Sequence, residues 1–269
     1  MASVTTMSSE ILDAFSKVRQ ACALCSLWVR EEASIADEIK KEGPSMNQGL
    51  RDGILAASGF CNRHTHAIHD ARASGEADYG LACPACARTV LKKFEDGLTP
   101  LLANLQAAKG HAERGGKKGE QLLAKTISAL ETTISGDAVC PVCKRLLESD
   151  RDRIASLLQM LESKDFADLY VKSDAICMPH FVSAMELLPW SGSKNAEGVW
   201  SVLVRAELGR LEAVDYLLNE RMKRYSWDFR NDAMTPEEAN AQKIAMLAIA
   251  GVEGLYCRPR KTSLRPARQ

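Results

Sequence analysis

The chain has 269 residues, of which 46% are hydrophobic and 26% charged, and its basic and acidic side chains balance to a net charge of zero. A chain of this length can form one large domain or two smaller ones with buried cores. Zero net charge gives no global preference for nucleic acid or for an anionic membrane. No apolar run approaches the roughly 20 residues of a membrane-spanning helix, and the N-terminal sequence lacks the features of a signal peptide. We therefore expect a cytoplasmic protein.

Helical periodicity runs through most of the chain. Apolar side chains recur at steps of three and four residues from Ile11 to Val29, a spacing typical of amphipathic helices. The same periodicity continues in four later segments: 119–135, 144–163, 198–225 and 236–251. No convincing pair of alternating β-strands is present. The sequence predicts an all-α fold.

Cysteine and histidine form one motif that occurs twice. The first copy reads C-x2-C-x35-C-x2-H and consists of Cys22, Cys25, Cys61 and His64. The second copy reads C-x2-C-x33-C-x2-H and consists of Cys140, Cys143, Cys177 and His180. Two matched copies indicate a duplicated unit and argue against cysteines that serve only as small buried side chains.

The spacing within each motif suits a metal ion. Donors three residues apart at the start of a helix project from one side, so each CxxC or CxxH pair can present two ligands. Pro141 and Pro179 favour helix starts at the second residue of their motifs. Three thiolates and one imidazole form a closed zinc shell, which we favour over an iron–sulfur cluster. We predict duplicated zinc-stapled helical hairpins in a helical bundle, with one ion closing the hairpin of each half.

Composition suggests four segments along the chain. A Gly-rich polar stretch separates the two halves, and the C-terminal segment is basic with two prolines and no acidic residue. The predicted segments are a first helical half at 1–108, a linker at 109–121, a second helical half at 122–257 and a basic disordered tail at 258–269.

A third CxxC pair has no CxxH pair after it. Cys83 and Cys86 could join His66 and His69 in a third metal site, because H-x2-H-x13-C-x2-C is plausible zinc spacing. The two thiols could instead form a redox dithiol or bind a metal together with a partner chain. They could also be packed thiols without a function. The sequence leaves these three interpretations open.

The motifs "CALC", "GFCNRH", "CPVC" and "CMPH" resemble those of an uncharacterised bacterial family of helical proteins with paired CPxC and CxxH motifs. Ala23 stands in the first motif where that family has proline. The resemblance implies metal binding and no established activity.

Full ligand shells argue against catalysis, because catalytic zinc sites keep one position open. The favoured function is a non-enzymatic scaffold that acts as an accessory subunit or adapter through protein–protein contacts. Trp190 is most simply a core or helix-junction residue, but it could mark an exposed binding surface. The first alternative is a redox or metal-handling role of Cys83 and Cys86. The second is nucleic-acid binding through the basic tail, which the lack of a basic domain surface disfavours.

Overall fold

The structure, a computed structural model, contains only helices and connecting turns within the residues that it describes. These are 4–73, 86–96, 98–99, 121, 125, 128, 139–229, 232–253 and 255, without the side chains of 4–5, 40–46 and 68–73. The predicted all-α class and the helical-bundle architecture are confirmed. None of the described helices combines the length and the apolar composition that a membrane-spanning segment requires.

Most residues between 74 and 138 lie outside the described ranges, and the labelled helices stand on either side of them. The labelled helices are α1 (Val4–Lys17), α2 (Ala23–Met46), α3 (Gln48–Ala56), α4 (Asn62–Ala73), α5 (Pro141–Met160), α6 (Lys164–Lys172), α7 (Met178–Leu187), α8 (Ala196–Lys223) and α9 (Pro236–Ala250). A 3₁₀ turn, Leu188–Trp190, follows α7. Residues 86–96 and 98–99 are helical as well.

Contacts divide the chain into two compact units. The first unit contains residues 1–31 and 146–269, and the second contains residues 32–145. The predicted linker, 109–121, lies outside the described residues except for its last position, and the predicted tail, 258–269, lies outside them altogether. The division into a first and a second helical half therefore stays a prediction.

The core of the first unit forms where α1 and α6 meet and where α8 packs against α6, α7 and α9. Phe15 on α1 is buried, and its ring centroid lies 5.8 Å from that of Phe166 and 5.3 Å from that of Tyr170, both on α6. Between α8 and α9, small side chains such as Ala245 and Ala248 pack beside Val214. These contacts bury the apolar stripe that the sequence periodicity indicates.

The core of the second unit joins α2, α3 and the start of α5. Ile39 on α2, Ile54 on α3 and Val142 on α5 are all buried. A Cβ atom placed on Gly53 would lie 3.4 Å from Cβ of Pro141, so α3 approaches the first residue of α5 closely. This approach fixes the start of α5, which carries the CPVC motif.

Helix α9 begins with a capping box that should contribute measurably to stability. The Thr235 hydroxyl accepts a hydrogen bond from the Glu238 backbone N–H, and the Glu238 carboxylate accepts one from the Thr235 N–H. Thr235→Ala should lower the free energy of unfolding by about 1 kcal/mol, whereas Thr235→Ser keeps the hydroxyl and should change it little. Urea titration followed by circular dichroism measures both variants, and equal stability of the two would contradict this role of the cap.

Candidate metal centres

The four motifs of the two repeated copies stand at helix starts. In each, the first cysteine immediately precedes a helix and the second donor lies in the first turn of that helix. The first residues of these helices are Ala23 in α2, Asn62 in α4, Pro141 in α5 and Met178 in α7. The predicted starts at the second residue of the two proline-containing motifs are confirmed. Donors in this position face the backbone N–H groups and the positive end of the helix, which stabilise thiolates.

The first group of donors, called the buried group below, combines the CALC and CMPH motifs and consists of Cys22, Cys25, Cys177 and His180. The Nδ1 atom of His180 lies 3.4, 3.6 and 3.1 Å from the sulfurs of Cys22, Cys25 and Cys177, respectively. The sulfurs of Cys25 and Cys177 are 3.5 Å apart. All four side chains are buried, and His180 has no exposed surface.

The second group, called the half-buried group below, combines the GFCNRH and CPVC motifs and consists of Cys61, His64, Cys140 and Cys143. The Nδ1 atom of His64 lies 3.2, 3.6 and 3.3 Å from the sulfurs of Cys61, Cys140 and Cys143. The sulfurs of Cys61 and Cys143 are 3.7 Å apart. Cys61 and Cys143 are partly exposed, whereas His64 and Cys140 are buried.

The spacing of the donor atoms suits one metal ion in each group. The four ligand atoms of each group lie within 4.8 Å of one another. A tetrahedral zinc ion would hold its sulfurs about 3.8 Å apart and each sulfur about 3.6 Å from the nitrogen. The observed separations lie close to these values, and all seven cysteines described are free thiols. Both groups could therefore hold a metal ion.

The predicted pairing of the motifs within each half is wrong. Cys22 and Cys25 meet Cys177 and His180, not Cys61. The reason lies in helix length: α2 has 24 residues and rises about 36 Å, whereas α3 has nine and rises roughly 14 Å. Because α3 is less than half as long as α2, the chain arrives at Cys61 beside the interior of α2 and not beside its start, where Cys25 lies. Helices α5 and α6, with 20 and nine residues, repeat this imbalance.

Each histidine is held in place by a carboxylate that the sequence analysis did not identify. The Nε2 atom of His180 lies 3.1 Å from Oδ1 of Asp150, which is itself buried. The Nε2 atom of His64 lies 3.0 Å from Oε1 of Glu32, and the Arg63 guanidinium donates to both oxygens of Glu32 at 2.7 and 2.6 Å. The carboxylates leave Nδ1 of both rings facing the sulfurs, the arrangement typical of metal-binding histidines.

The two carboxylates occupy the same sequence position relative to their helices. Glu32 on α2 and Asp150 on α5 each follow the second cysteine of a CxxC motif by seven residues. Helix α2, together with the preceding Cys22, thus supplies two sulfurs to the buried group and a carboxylate to the half-buried group. Helix α5, together with the preceding Cys140, supplies two sulfurs to the half-buried group and a carboxylate to the buried group. The acidic residue seven positions after each CxxC motif could have been noticed in the sequence. Its role follows only from the crossed pairing, in which the CxxC motif of one copy meets the CxxH motif of the other copy.

Hydrogen bonds inside the half-buried group favour a thiolate at Cys140. The Cys143 thiol lowers the pKa of Cys140 to about 3 against the opposing effect of burial, and His64 adds to this lowering. In return, Cys140 and burial raise the pKa of Cys143 above its ordinary value. Burial lowers the pKa of His64, but Cys140 and Glu32 outweigh burial and raise the pKa overall. A bound cation would supply the positive charge that stabilises the remaining thiolates.

In the buried group, too, the pKa of one cysteine is lowered and that of another is raised. Burial raises the pKa of Cys22, but hydrogen bonds from Cys177 and Cys25 and the charge on His180 outweigh it and leave the pKa well below its ordinary value. Cys22 and Cys25 raise the pKa of Cys177. Burial lowers the pKa of His180, but the Cys22 thiolate and Asp150 raise it well above the usual range. One thiolate is thus favoured in each group in the absence of a metal.

Gly251, directly after α9, lies against the buried group and was also missed by the sequence analysis. A Cβ atom at this position would lie 3.1 Å from the sulfur of Cys177 and 3.4 Å from that of Cys25. Its backbone has φ +71° and ψ −161°, a conformation accessible essentially to glycine alone. Both constraints explain why the residue directly after α9 is a glycine.

The predicted third site is only partly within the described residues. His66 is exposed on α4, and Cys86 is buried in the helical segment 86–96. Neither joins a group of three or more potential metal donors in the described part of the chain. The side chain of His69 and the whole of Cys83 lie outside the described residues, so the third site stays a prediction.

Comparison with known proteins identifies a family. The model of DUF6062, a family of unknown function, matches residues 4–240. The chain belongs to this family. No curated protein and no solved structure matches it. The matched DUF6062 region includes all eight donors as well as Glu32 and Asp150, and it ends before Gly251. The expected membership of an uncharacterised family is confirmed, whereas the motif pattern expected for that family stays a prediction.

Paired serine variants should distinguish the crossed pairing from the hairpin pairing. In the crossed arrangement, Cys22→Ser with Cys177→Ser damages one group, and Cys22→Ser with Cys61→Ser damages both. We therefore expect the first pair to lose about one metal ion per chain and the second pair to lose about two, because structural sites need all four ligands. Metal content after a chelator wash, measured by mass spectrometry, gives the count.

The opposite pattern would contradict the crossed pairing. If the ion closed each hairpin, the Cys22 and Cys177 pair would lose two ions and the Cys22 and Cys61 pair only one. Cys257→Ser, which changes a cysteine that belongs to none of the predicted metal sites, serves as the control for unspecific loss of metal.

Asp150→Asn should weaken metal binding by the buried group. Loss of a carboxylate partner of a metal-binding histidine typically costs 10–100-fold in affinity. Asp152→Asn, an exposed change on the same helix, is the matched control. Both variants are compared in a Cys61→Ser background, which leaves the buried group intact, by competition with a zinc chelator. Equal affinities of the Asp150 and Asp152 variants would show that the carboxylate does not support the site.

Proposed function

We propose that this protein is a non-enzymatic, zinc-binding helical scaffold of the cytoplasm that acts as an accessory subunit or adapter. The observation that supports the proposal most strongly is the pair of complete donor groups, each with three sulfurs and one imidazole and each backed by a carboxylate. Three thiolates and one imidazole form a standard structural zinc shell, which leaves no position for substrate or water. The ligands are Cys22, Cys25, Cys177 and His180 for one ion and Cys61, His64, Cys140 and Cys143 for the other.

The ions contribute folding free energy in this proposal. Structural zinc binds zinc-finger peptides with apparent free energies of about 10–16 kcal/mol, which is comparable to the ~5–15 kcal/mol stability of a typical domain. Without a metal, the closely spaced sulfurs and imidazole of each group would retain protons at the junction of two helix starts, with no ion to hold these starts together. Removing the metal should therefore loosen both units.

Exposed aromatic side chains support a role in protein–protein contact. Trp190, for which the sequence left a core and a surface position open, is 66% exposed. Trp200 and Tyr216 on α8 are 53% and 63% exposed, and Tyr225 after α8 is 83% exposed. Tryptophan and tyrosine dominate the binding energy of many protein interfaces. The partner in this proposal is another protein subunit.

The test of the metal proposal uses the full chain purified without oxygen. We expect two zinc ions per chain, a colourless protein, and loss of helical circular dichroism when a strong chelator removes the metal. Cobalt substitution should give the visible absorption of tetrahedral thiolate coordination. A brown protein that contains iron and sulfide would overturn the zinc scaffold and favour the alternative of a metal-handling protein with an iron–sulfur cluster.

The adapter role requires its own experiment. Tagged zinc-loaded protein and the Trp200→Ser, Tyr216→Ser variant are used to co-purify proteins from the source cells under identical conditions. We expect a stoichiometric protein partner with the unchanged chain and its loss with the variant, while zinc content stays the same. Absence of any stoichiometric protein partner, or retention of nucleic acid instead, would count against the adapter. The second outcome would favour the basic segment 258–269 as a nucleic-acid-binding arm.

A further inference from the structure

The two Cys/His groups carry the same donors but differ in how far their sulfurs reach the surface. In the half-buried group, Cys61 and Cys143 are partly exposed. In the buried group, Cys22 and Cys25 are 2% exposed and Cys177 has no exposed surface. A small oxidant dissolved in water can therefore contact sulfur in the half-buried group, whereas the sulfurs of the buried group are shielded from it.

The two partly exposed sulfurs are also neighbours in space. Cys61 and Cys143 are 82 residues apart in the chain, and their sulfurs lie 3.7 Å from each other. Both are free thiols. A second thiol in contact with an oxidised cysteine attacks the oxidised sulfur and converts it into a disulfide. Cys61 and Cys143 thus have both the exposure and the proximity of a disulfide-forming pair.

The connection that carries Cys61 has room to bring the two sulfurs together. Cys61 stands directly before α4, whose first residue is Asn62, and lies outside any helix. A Cβ atom at Gly59, two residues earlier, would meet nothing within 4 Å. The backbone before Cys61 is therefore not held by packing at Gly59 and can shift toward Cys143 without a clash at this position.

We propose that hydrogen peroxide oxidises Cys61 and Cys143 of the half-buried group to a disulfide, and that this group then loses its zinc ion. This regulation rests on the zinc binding proposed above. The buried group keeps its ion under the same conditions. The protein thus has one zinc site that responds to peroxide and one that does not.

The reaction balances with hydrogen peroxide as the only oxidant. The Cys61 thiolate attacks one peroxide oxygen, the O–O bond breaks, and hydroxide leaves, which makes Cys61 a sulfenic acid. The Cys143 thiolate then attacks the sulfur of Cys61, the S–O bond breaks, and a second hydroxide leaves. The two thiolates lose two electrons in total, and peroxide accepts them to become two hydroxide ions.

The disulfide removes two of the four metal donors. Thiolates bind the metal and disulfide sulfurs do not, so only Cys140 and His64 remain as donors. Two donors do not complete a structural zinc shell. The disulfide would link Cys61, at the start of α4, to Cys143, in the first turn of α5, in place of the ion. Reduction by a dithiol would restore both donors, so the change is reversible.

Exposure, and not the distance between sulfurs, distinguishes the two groups. The sulfurs of Cys25 and Cys177 are 3.5 Å apart, which is closer than the pair in the half-buried group. Proximity alone would therefore favour a disulfide in the buried group. Backbone at Gly251 lies against both of these buried sulfurs and helps to shield them. The position of the disulfide decides between the two explanations.

Treatment of the zinc-loaded full chain, purified without oxygen, with a small excess of hydrogen peroxide tests this proposal. A colorimetric chelator measures the zinc released, and peptide mapping by mass spectrometry identifies the disulfide. We expect about one of two zinc ions to be released roughly tenfold faster than the other, together with a disulfide between Cys61 and Cys143. Dithiothreitol and added zinc should return the ion to its site.

The outcomes separate this proposal from the zinc scaffold on which it rests. A chain that binds no zinc before peroxide is added would overturn the scaffold and the peroxide-sensitive site together. Two bound ions of which peroxide releases neither, or both at equal rates, would overturn the peroxide-sensitive site alone. A disulfide between any other two cysteines of the donor groups, in place of the one between Cys61 and Cys143, would also overturn it.

Two matched double variants show which group releases its ion. Cys22→Ser with Cys177→Ser removes the buried group, and Cys61→Ser with Cys143→Ser removes the half-buried group. We expect peroxide to release the remaining ion from the first variant and not from the second. Circular dichroism and zinc content before treatment establish that each variant is folded, and the peptide map of the unchanged chain assigns the disulfide without any variant. Release from the second variant as fast as from the first would refute the assignment to the half-buried group.

Discussion

The meeting of two helix starts in each Cys/His group is the constraint on which the rest of the structure depends. A CxxC or CxxH pair at a helix start brings two donors to one side, but two donors do not complete a tetrahedral shell. Each start must therefore face a second one, and the structure supplies it from a distant part of the chain: Cys22 lies 158 residues from His180. Within each group, the placement of two helix starts follows from this requirement.

Helix length decides which starts can meet. The long helices α2 and α5 are each followed by a nine-residue helix, so the following CxxH motif lies beside the interior of the long helix. Glu32 and Asp150 stand at that interior level, where they hold the histidine of the group to which their own helix gives no sulfur. Crossed pairing and carboxylate support are thus consequences of the same imbalance in length.

The two groups differ in exposure although their donors are the same. In the buried group the thiols and the imidazole are shielded, and Gly251 brings backbone directly against two of its sulfurs. In the half-buried group Cys61 and Cys143 reach the surface. Shielding slows the access of oxidants and competing ligands to thiolates, so the half-buried group is the more accessible of the two.

The sequence by itself determined the helical class and identified the eight side chains that assemble into two groups of four. Periodicity revealed the helices because one face of each must be apolar, and the proline after Cys140 marked a helix start because its fixed φ suits the first helical position. The sequence did not determine the pairing, because both copies have the same donors at nearly the same spacing and either combination completes a shell. It also did not single out Glu32, Asp150 or Gly251, since acidic and glycine residues are common in helical proteins. Only the tertiary structure decided the pairing and the roles of these residues. The lengths of α2 and α5 determine which four donors come close enough to share one metal ion and which carboxylates face the histidines.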